Sequence, residues 1–278
     1  MKKILVPIDF TENSDISFDF AGQIAKKHDC EITLLHIIYF PAMTNLSFEM
    51  VGAKSKELML QSLKKDARER LMEVVEEKKL SSLKVKYEVR EGGILEEITS
   101  FIKGKRIDLM ILGIEQNLEL GDHLFGALSD RIIHAIDCPV LVLKQMTRLS
   151  SIKKVAVAND LAGKPALLAK QVQKITDVFN AKLNIIKVNT PQDFTSEVVF
   201  DQRLQEYQKQ KPLADCSYKI FSHYNVAEGV LHVAGKLAVD MIVIGGKRKS
   251  FLRRLVMGED LAEEVIDHSN LPVWVFPG

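Results

Sequence analysis

The chain is written twice, and that duplication constrains its fold more than any other feature. The stretch Asp108-Leu-Met-Ile-Leu-Gly113 returns as Asp240-Met-Ile-Val-Ile-Gly245. Each copy then runs to a proline-flanked apolar strand, Cys138-Pro139-Val140-Leu141-Val142 in the first and Leu271-Pro272-Val273-Trp274-Val275 in the second. The openings also correspond: Ile4-Leu5-Val6-Pro7-Ile8-Asp9 against Val155-Ala156-Val157-Ala158-Asn159-Asp160. A repeat far longer than the roughly 20–50 residues of a solenoid unit is a duplicated domain. The expected boundaries are 1–146 and 153–278, joined by the short polar stretch Gln145–Ile152.

At 278 residues the chain suits two domains of ordinary size, each able to bury its own core. Hydrophobic residues make up 46% and charged residues 27%, the profile of a soluble globular protein. No apolar run approaches the roughly 18 residues needed to span a bilayer, and the N-terminus enters a strand without a signal-peptide core. Cys30, Cys138 and Cys216 cannot all pair and match no metal-ligand spacing, so a cytoplasmic location is expected. Residues 1–146 carry 20 basic and 23 acidic side chains, and residues 147–278 carry 18 and 14. That mild asymmetry argues against a general nucleic-acid binder.

Within each copy, short Val/Ile/Leu runs alternate with amphipathic stretches, the pattern of βαβ units around a parallel sheet. The first copy reads as strands at Lys3–Ile8, Glu31–Ile37, Lys84–Val89, Leu109–Leu112 and Val140–Leu143. Helices are expected over Asn13–Lys27, Lys54–Lys79, Ile94–Lys103 and Leu128–Ala135. The second copy repeats the strands near Lys154–Ala158, Lys182–Val188, Tyr218–Phe221, Met241–Ile244 and Val273–Phe276. The copies differ in length in one region, Tyr39–Lys79, which holds a loop and a longer second helix.

These blocks resemble the universal stress proteins in their tandem, two-domain form. Ile4–Thr11 looks like that family's first strand and turn, and Leu34-Leu35-His36-Ile37 like its second strand. Asp108–Gly113 with Cys138–Val142 looks like its fourth and fifth. The resemblance covers nearly the whole chain, twice. It implies two Rossmann-like (adenine nucleotide alpha hydrolase-like) α/β domains, each a five-stranded parallel sheet in the order 3-2-1-4-5 flanked by helices. It also implies an internal pseudo-dimer that pairs Val140–Leu143 with Val273–Phe276, removing two apolar sheet edges. A homodimer and further protein partners stay open, and neither a nucleic acid nor a membrane is expected as a partner.

Members of the family that bind ATP share a loop of pattern G-x2-G-x9-G-[ST] after the fourth strand. Its glycines let backbone amides approach phosphates, and the following helix N-terminus adds positive potential. This chain departs from that pattern in both copies. In the first, Gly113 is followed by Gln116, then Gly126 and Ala127; Glu115, Glu119 and Asp122 on the same loop would repel a triphosphate. In the second, Gly245 is followed by Arg248, then Gly258 and Glu259. Gly245 to Pro272 spans one residue more than Gly113 to Pro139, so the alignment of Gly258 is open.

The nucleotide contacts that the resemblance implies are therefore Asp9, Gly113, Gly126 and Ala127 in the first copy and Asp160, Gly245, Arg248 and Gly258 in the second, with ATP and Mg as the cofactor on offer. Each has a plainer alternative: Asp9 and Asp160 as turn caps, Gly113 and Gly245 as backbone-geometry residues. The tract Lys247-Arg248-Lys249-Ser250-Phe251-Leu252-Arg253-Arg254 is either an anion clamp or a solvated basic loop. His36, inside an apolar strand, reads as a core histidine, and Cys30 and Cys138 read as packing. No phosphate loop, nucleophile elbow or CxxC occurs, and nothing in the residues argues for an enzyme. The expectation is a non-catalytic stress-response binding or scaffold protein with degenerate nucleotide loops. Its alternatives are a one-site ATP switch, with the second domain favoured on charge, and a carrier of another anionic small molecule.

Overall fold

A computed structural model describes residues 1–39, 53–80, 82–114, 131–133, 135–162, 165–210, 216–246 and 261–277. The chain separates into two compact units, Met1–Cys138 and Pro139–Gly278. Each is an α/β unit built on parallel strands.

In the first unit, β1 (Lys3–Pro7), β2 (Glu31–Ile38), β3 (Val85–Glu91) and β4 (Leu109–Gly113) run in the order β3-β2-β1-β4. β1 lies parallel to β2 with Ile4 opposite Ile32, and parallel to β4 with Ile4 opposite Leu109. Four of the five residues of β1 are buried, as expected of a strand covered on both faces. Helix α1 (Glu12–His28) starts where Thr11 accepts a hydrogen bond from the Ser14 amide, and stops at Asp29 in the left-handed region (φ 50). Glu12 and Asp15 sit in its first turn and Lys26 and Lys27 in its last, complementing the helix dipole. Ile16, Phe20 and Ile24 recur at helical spacing and are buried against the sheet. Helices α2 (Ala53–Glu77) and α3 (Ile94–Lys105) complete the unit. Of the expected helix Leu128–Ala135, only residues 131–133 and 135 fall among those described.

The second unit holds β5 (Val140–Leu143), β6 (Lys154–Ala158), β7 (Lys182–Asn189), β8 (Cys216–Ser222), β9 (Met241–Gly246) and β10 (Val273–Pro277). β10, β9, β6, β7 and β8 are parallel neighbours in that order, which is 5-4-1-2-3 counted within the copy. β5 adds to β10 in the opposite sense, Leu141 facing Trp274. Trp274 is fully buried, its ring edge-on to Phe179 at 6.1 Å. The second-copy helices are α4 (Pro165–Phe179), α5 (Glu197–Gln210), α6 (Val226–Leu237) and α7 (Leu261–His268). α5 has 14 residues against 25 in its counterpart α2, so part of the length difference between the copies lies in this helix. The stretch Gln145–Ile152 is more than a polar spacer: Leu149 and Ile152 are buried, and a short 3₁₀ turn spans Leu149–Ser151.

The duplication holds at the level of single hydrogen bonds. Asp108 Oδ2 accepts from the amides of Lys2 and Lys3, and Asp240 Oδ2 accepts from those of Lys153 and Lys154. These two aspartates, the first residues of the repeated motif, tie the start of the fourth strand of each copy to the start of its first.

Candidate functional site

Both copies leave their first strand through the same turn. Asp9 Oδ1 accepts from the amide and hydroxyl of Thr11, at 3.1 and 2.6 Å. Asp160 Oδ1 accepts from the amide of Ala162 at 3.0 Å. Between them sits a non-glycine residue with positive φ, Phe10 (64°) in the first copy and Leu161 (54°) in the second. The aspartate side chain bridges the turn two residues on, which is how this local conformation is held despite the steric cost at Phe10 and Leu161. In the second copy Asn159 Oδ1 also accepts from the Leu161 amide, and Arg203 from α5 donates to the Asp160 carbonyl.

The side-chain contacts around these turns differ between the copies. In the first, the Phe10 ring lies 4.7 Å from that of His36, and the Arg70 guanidinium from α2 sits 3.9 Å above Phe10. His36 Nδ1 donates to the Ile8 carbonyl at 2.8 Å. Burial pushes its imidazole below the ordinary histidine value, and the Arg70 charge acts in the same direction. Gly113 has a packing role: a Cβ there would lie 1.9 Å from the Asn13 carbonyl oxygen and 2.7 Å from Ser17 Oγ. The strand end and the first turns of α1 can approach this closely only without a side chain.

In the second unit a cavity of about 440 Å³ opens at the carboxyl ends of β6, β7 and β9. That is the end of a parallel sheet where open α/β folds bind ligands, and the volume suits a small molecule. Asn159 and Asp160 line it from the β6 turn, Lys187 and Thr190 from β7 and its loop, and Gly245 from β9. Lys187 is 4% exposed and its ammonium is paired with Asp193. On the opposite wall, Asn225 Oδ1 caps α6 by accepting from the amides of Ala227 and Glu228, and its Nδ2 donates to Glu264 of α7. Gly245 is less constrained than Gly113, since the nearest atom to a Cβ there is the tip of the Phe276 ring at 3.0 Å.

Of the residues singled out by sequence, the structure brings Asp160 and Gly245 to one cavity. Asp9 sits at the equivalent turn of the other copy, and Gly113 at the equivalent strand end. Gly126, Ala127, Arg248 and Gly258 lie outside the described residues, as do Gln116, Glu259 and the basic tract 247–254. Sequence reasoning missed Lys187, Thr190, Asn225 and Glu264. One signal was available: Lys187 interrupts the apolar run Ile185–Val188, and a charge there is costly unless a partner waits for it. Cys30 and Cys138 are buried, and burial raises the Cys30 thiol. Among the described residues no cluster of three or more histidine, cysteine or carboxylate side chains could hold a metal, and no helix is long and apolar enough to cross a membrane.

Two α/β units with a shared hydrogen-bond skeleton and a ligand-sized crevice narrow the field, and a family model decides it. The model of the universal stress protein family matches residues 1–144 and again 151–277. The chain belongs to the universal stress protein family. Its two family domains stand in tandem. A universal stress protein of Methanocaldococcus jannaschii is 31% identical over 147 residues, covering 52% of this chain and 82% of the relative. Universal stress protein G of Escherichia coli O157:H7 is 28% identical over 145 residues, covering 51% of this chain and 99% of its own length. Such relatives match one copy's worth of sequence. A universal stress protein from Archaeoglobus fulgidus has the same fold over the whole length: TM-score 0.76 at 21% identity, covering 99% of this chain and 98% of that one.

Proposed function

We propose that this tandem universal stress protein is a non-catalytic, cytoplasmic binding protein whose second unit takes a small nucleoside-type ligand. The observation that carries this reading is the 440 Å³ crevice at the carboxyl ends of β6, β7 and β9, which gathers Asp160, Lys187 and Asn225. Amide-capped turns and a buried ammonium offer directional polar contacts to a sugar, a base edge or a phosphate, and the surrounding Ala158, Ile186, Val188 and Val230 offer an apolar bed for a ring. In the first unit, the Arg70–Phe10–His36 stack and the close packing at Gly113 favour a structural role for the equivalent strand ends. The basic tract at 247–254 follows β9 directly in sequence and adds positive charge to the second copy.

The test is calorimetric titration of the full chain with AMP and with ATP, each with and without Mg, followed by chromatography of the recovered nucleotide. Binding at one site per chain, with ATP recovered intact and affinity reduced in Asp160→Asn, is the expected result. No heat up to millimolar nucleotide would sink the ligand reading, and steady conversion of ATP to ADP would sink the non-catalytic one.

The departures from the nucleotide-loop pattern, Gln116 and Ala127 in the first copy and Arg248 and Glu259 in the second, favour a second reading. In it the protein is a scaffold that acts through protein partners with no nucleotide at all. Within the second unit, the pairing of β5 with β10 covers an apolar strand edge, which supports the view that this edge needs no second chain to cover it.

A further inference from the structure

Beside the crevice lies a second cleft of about 380 Å³, and two residues, Thr190 and Tyr224, line both. Tyr224 is 88% exposed and Phe194, which also lines the second cleft, is 73% exposed. Single exposed apolar residues are ordinary, but two large aromatic side chains facing one concavity beside a ligand-sized crevice are not.

Their exposure is built into the local structure. The loop that presents Phe194 is tied at its base by buried Asn189, whose Nδ2 donates to the Thr195 carbonyl at 2.8 Å and whose Oδ1 accepts from the Thr195 amide at 2.9 Å. Thr190 and Asp193 exchange backbone hydrogen bonds across the same loop, and Lys187 holds Asp193 from beneath. Phe194 therefore follows a residue pinned on three sides. Also lining the cleft, the His223 ring meets Tyr224 edge-on at 6.5 Å, stacks on His232 at 6.4 Å, and sets its Nδ1 at 3.1 and 3.3 Å from the Asn225 carbonyl and amide. Both aromatic side chains are mounted on ordered supports before any ligand arrives. The residues lining the cleft include no lysine, arginine or carboxylate, so it suits a flat ring better than a phosphate.

We infer that the second unit recognises ligands carrying two planar ring systems joined by a polar bridge, the dinucleotide class, with one ring in the crevice and the other stacked at Phe194 and Tyr224. The inference rests on the crevice reading above and adds the size and class of the ligand. Thr190, Gln192 and Asn225 line the crevice near the shared boundary and supply hydrogen-bonding groups for the bridge.

The experiment titrates the full-length protein with AMP and with NAD, a probe that contains AMP and a second planar ring. Stacking one ring on an aromatic platform is worth about 5- to 150-fold in affinity. NAD should bind at least about 10-fold more tightly than AMP. Phe194→Ala should erase that advantage and leave AMP affinity within about twofold, and Phe194→Trp should restore it. If AMP binds and NAD is no tighter, or Phe194→Ala does not reduce the NAD preference, the aromatic subsite is wrong while the crevice reading survives. If neither probe binds, both fall together. Self-association of the wild-type chain at micromolar concentration that Phe194→Ala abolishes would also overturn the inference, by making the cleft a protein interface.

Discussion

Replacing Asn189 by alanine should loosen the loop 190–195 that walls both the crevice and the aromatic cleft. Asn189 and Thr195 are both buried, and the amide side chain of Asn189 satisfies the N–H and the C=O of Thr195 at 2.9 and 2.8 Å. The substitution leaves two buried main-chain groups without partners. An unsatisfied buried group costs about 1–3 kcal/mol, and a surface loop that shifts to admit water recovers part of it. The expected cost to the second unit is thus about 2–4 kcal/mol. Because the chain has two units, one global unfolding curve is not the right assay. Native-state hydrogen exchange read at the Thr195 and Asp193 amides isolates the segment. Their protection should fall by about 30-fold or more, the equivalent of at least about 2 kcal/mol. Asn189→Asp keeps an acceptor for the Thr195 amide and loses the donor, so it should fall between wild type and alanine. Unchanged protection in Asn189→Ala would show that the loop is held by something else, and the preorganisation ascribed to Phe194 would go with it.

Three further outcomes follow from the geometry. Gly113→Ala places a methyl group 1.9 Å from a helix carbonyl and should cost at least about 2 kcal/mol in hydrogen-exchange protection of the first unit's strand amides, whereas the nearest atom to a methyl group in Gly245→Ala is a phenyl tip at 3.0 Å and the cost to the second unit should be under about 1 kcal/mol. His36 has a native pKa below its ordinary value, so the unfolded chain binds a proton that the folded chain resists; the stability it contributes is present above about pH 6.5 and lost as pH falls below it. The fall in stability between pH 7 and pH 5 should be shallower in His36→Gln. Lys187→Met exchanges a buried ammonium for an apolar chain of similar length and should leave stability within about 1 kcal/mol or raise it, while weakening AMP about 10-fold in the titration described above.

The fold was legible because its signals are periodic and redundant. Ile16, Phe20 and Ile24 mark one helix face, the Val/Ile/Leu runs mark strands buried on both faces, and every such signal occurs twice. The site was legible only in part. Asp9 and Asp160 could be placed at strand ends, but their immediate task is to accept backbone amides two residues on, a local bond that a motif alone cannot separate from a ligand contact. Gly113 shows the opposite limit. The reason for its missing side chain is the carbonyl of Asn13 in α1, 100 residues earlier in the chain, and no local pattern reports a contact of that range. Lys187 was visible as an anomaly in an apolar strand, whereas its partner Asp193 sits beyond the strand in a turn whose closure depends on Asn189 and Thr195 together.

Duplication lets the two copies act as controls for each other. Where they agree, the feature belongs to the frame: the Asp108 and Asp240 anchors, the Asp9 and Asp160 turns, and the positive φ at Phe10 and Leu161. Where they differ, the frame has been free to change. At the strand position after Leu35 and Ile186, the first copy holds His36, bonded to its own backbone and packed on Phe10, while the second holds Lys187 at the floor of an open crevice. One register position thus carries a neutral packed ring in one unit and a buried ammonium in the other. Since Lys187 and Asn225 line a cavity in the second unit, while Phe10 and His36 at the equivalent end of the first unit are in contact with each other and with Arg70, the two strand positions make different contacts. Exchanging the two positions, His36→Lys with Lys187→His, is the sharpest check on that division. If binding follows the lysine into the first copy, the strand position decides recognition; if binding is lost from both, the surrounding crevice does.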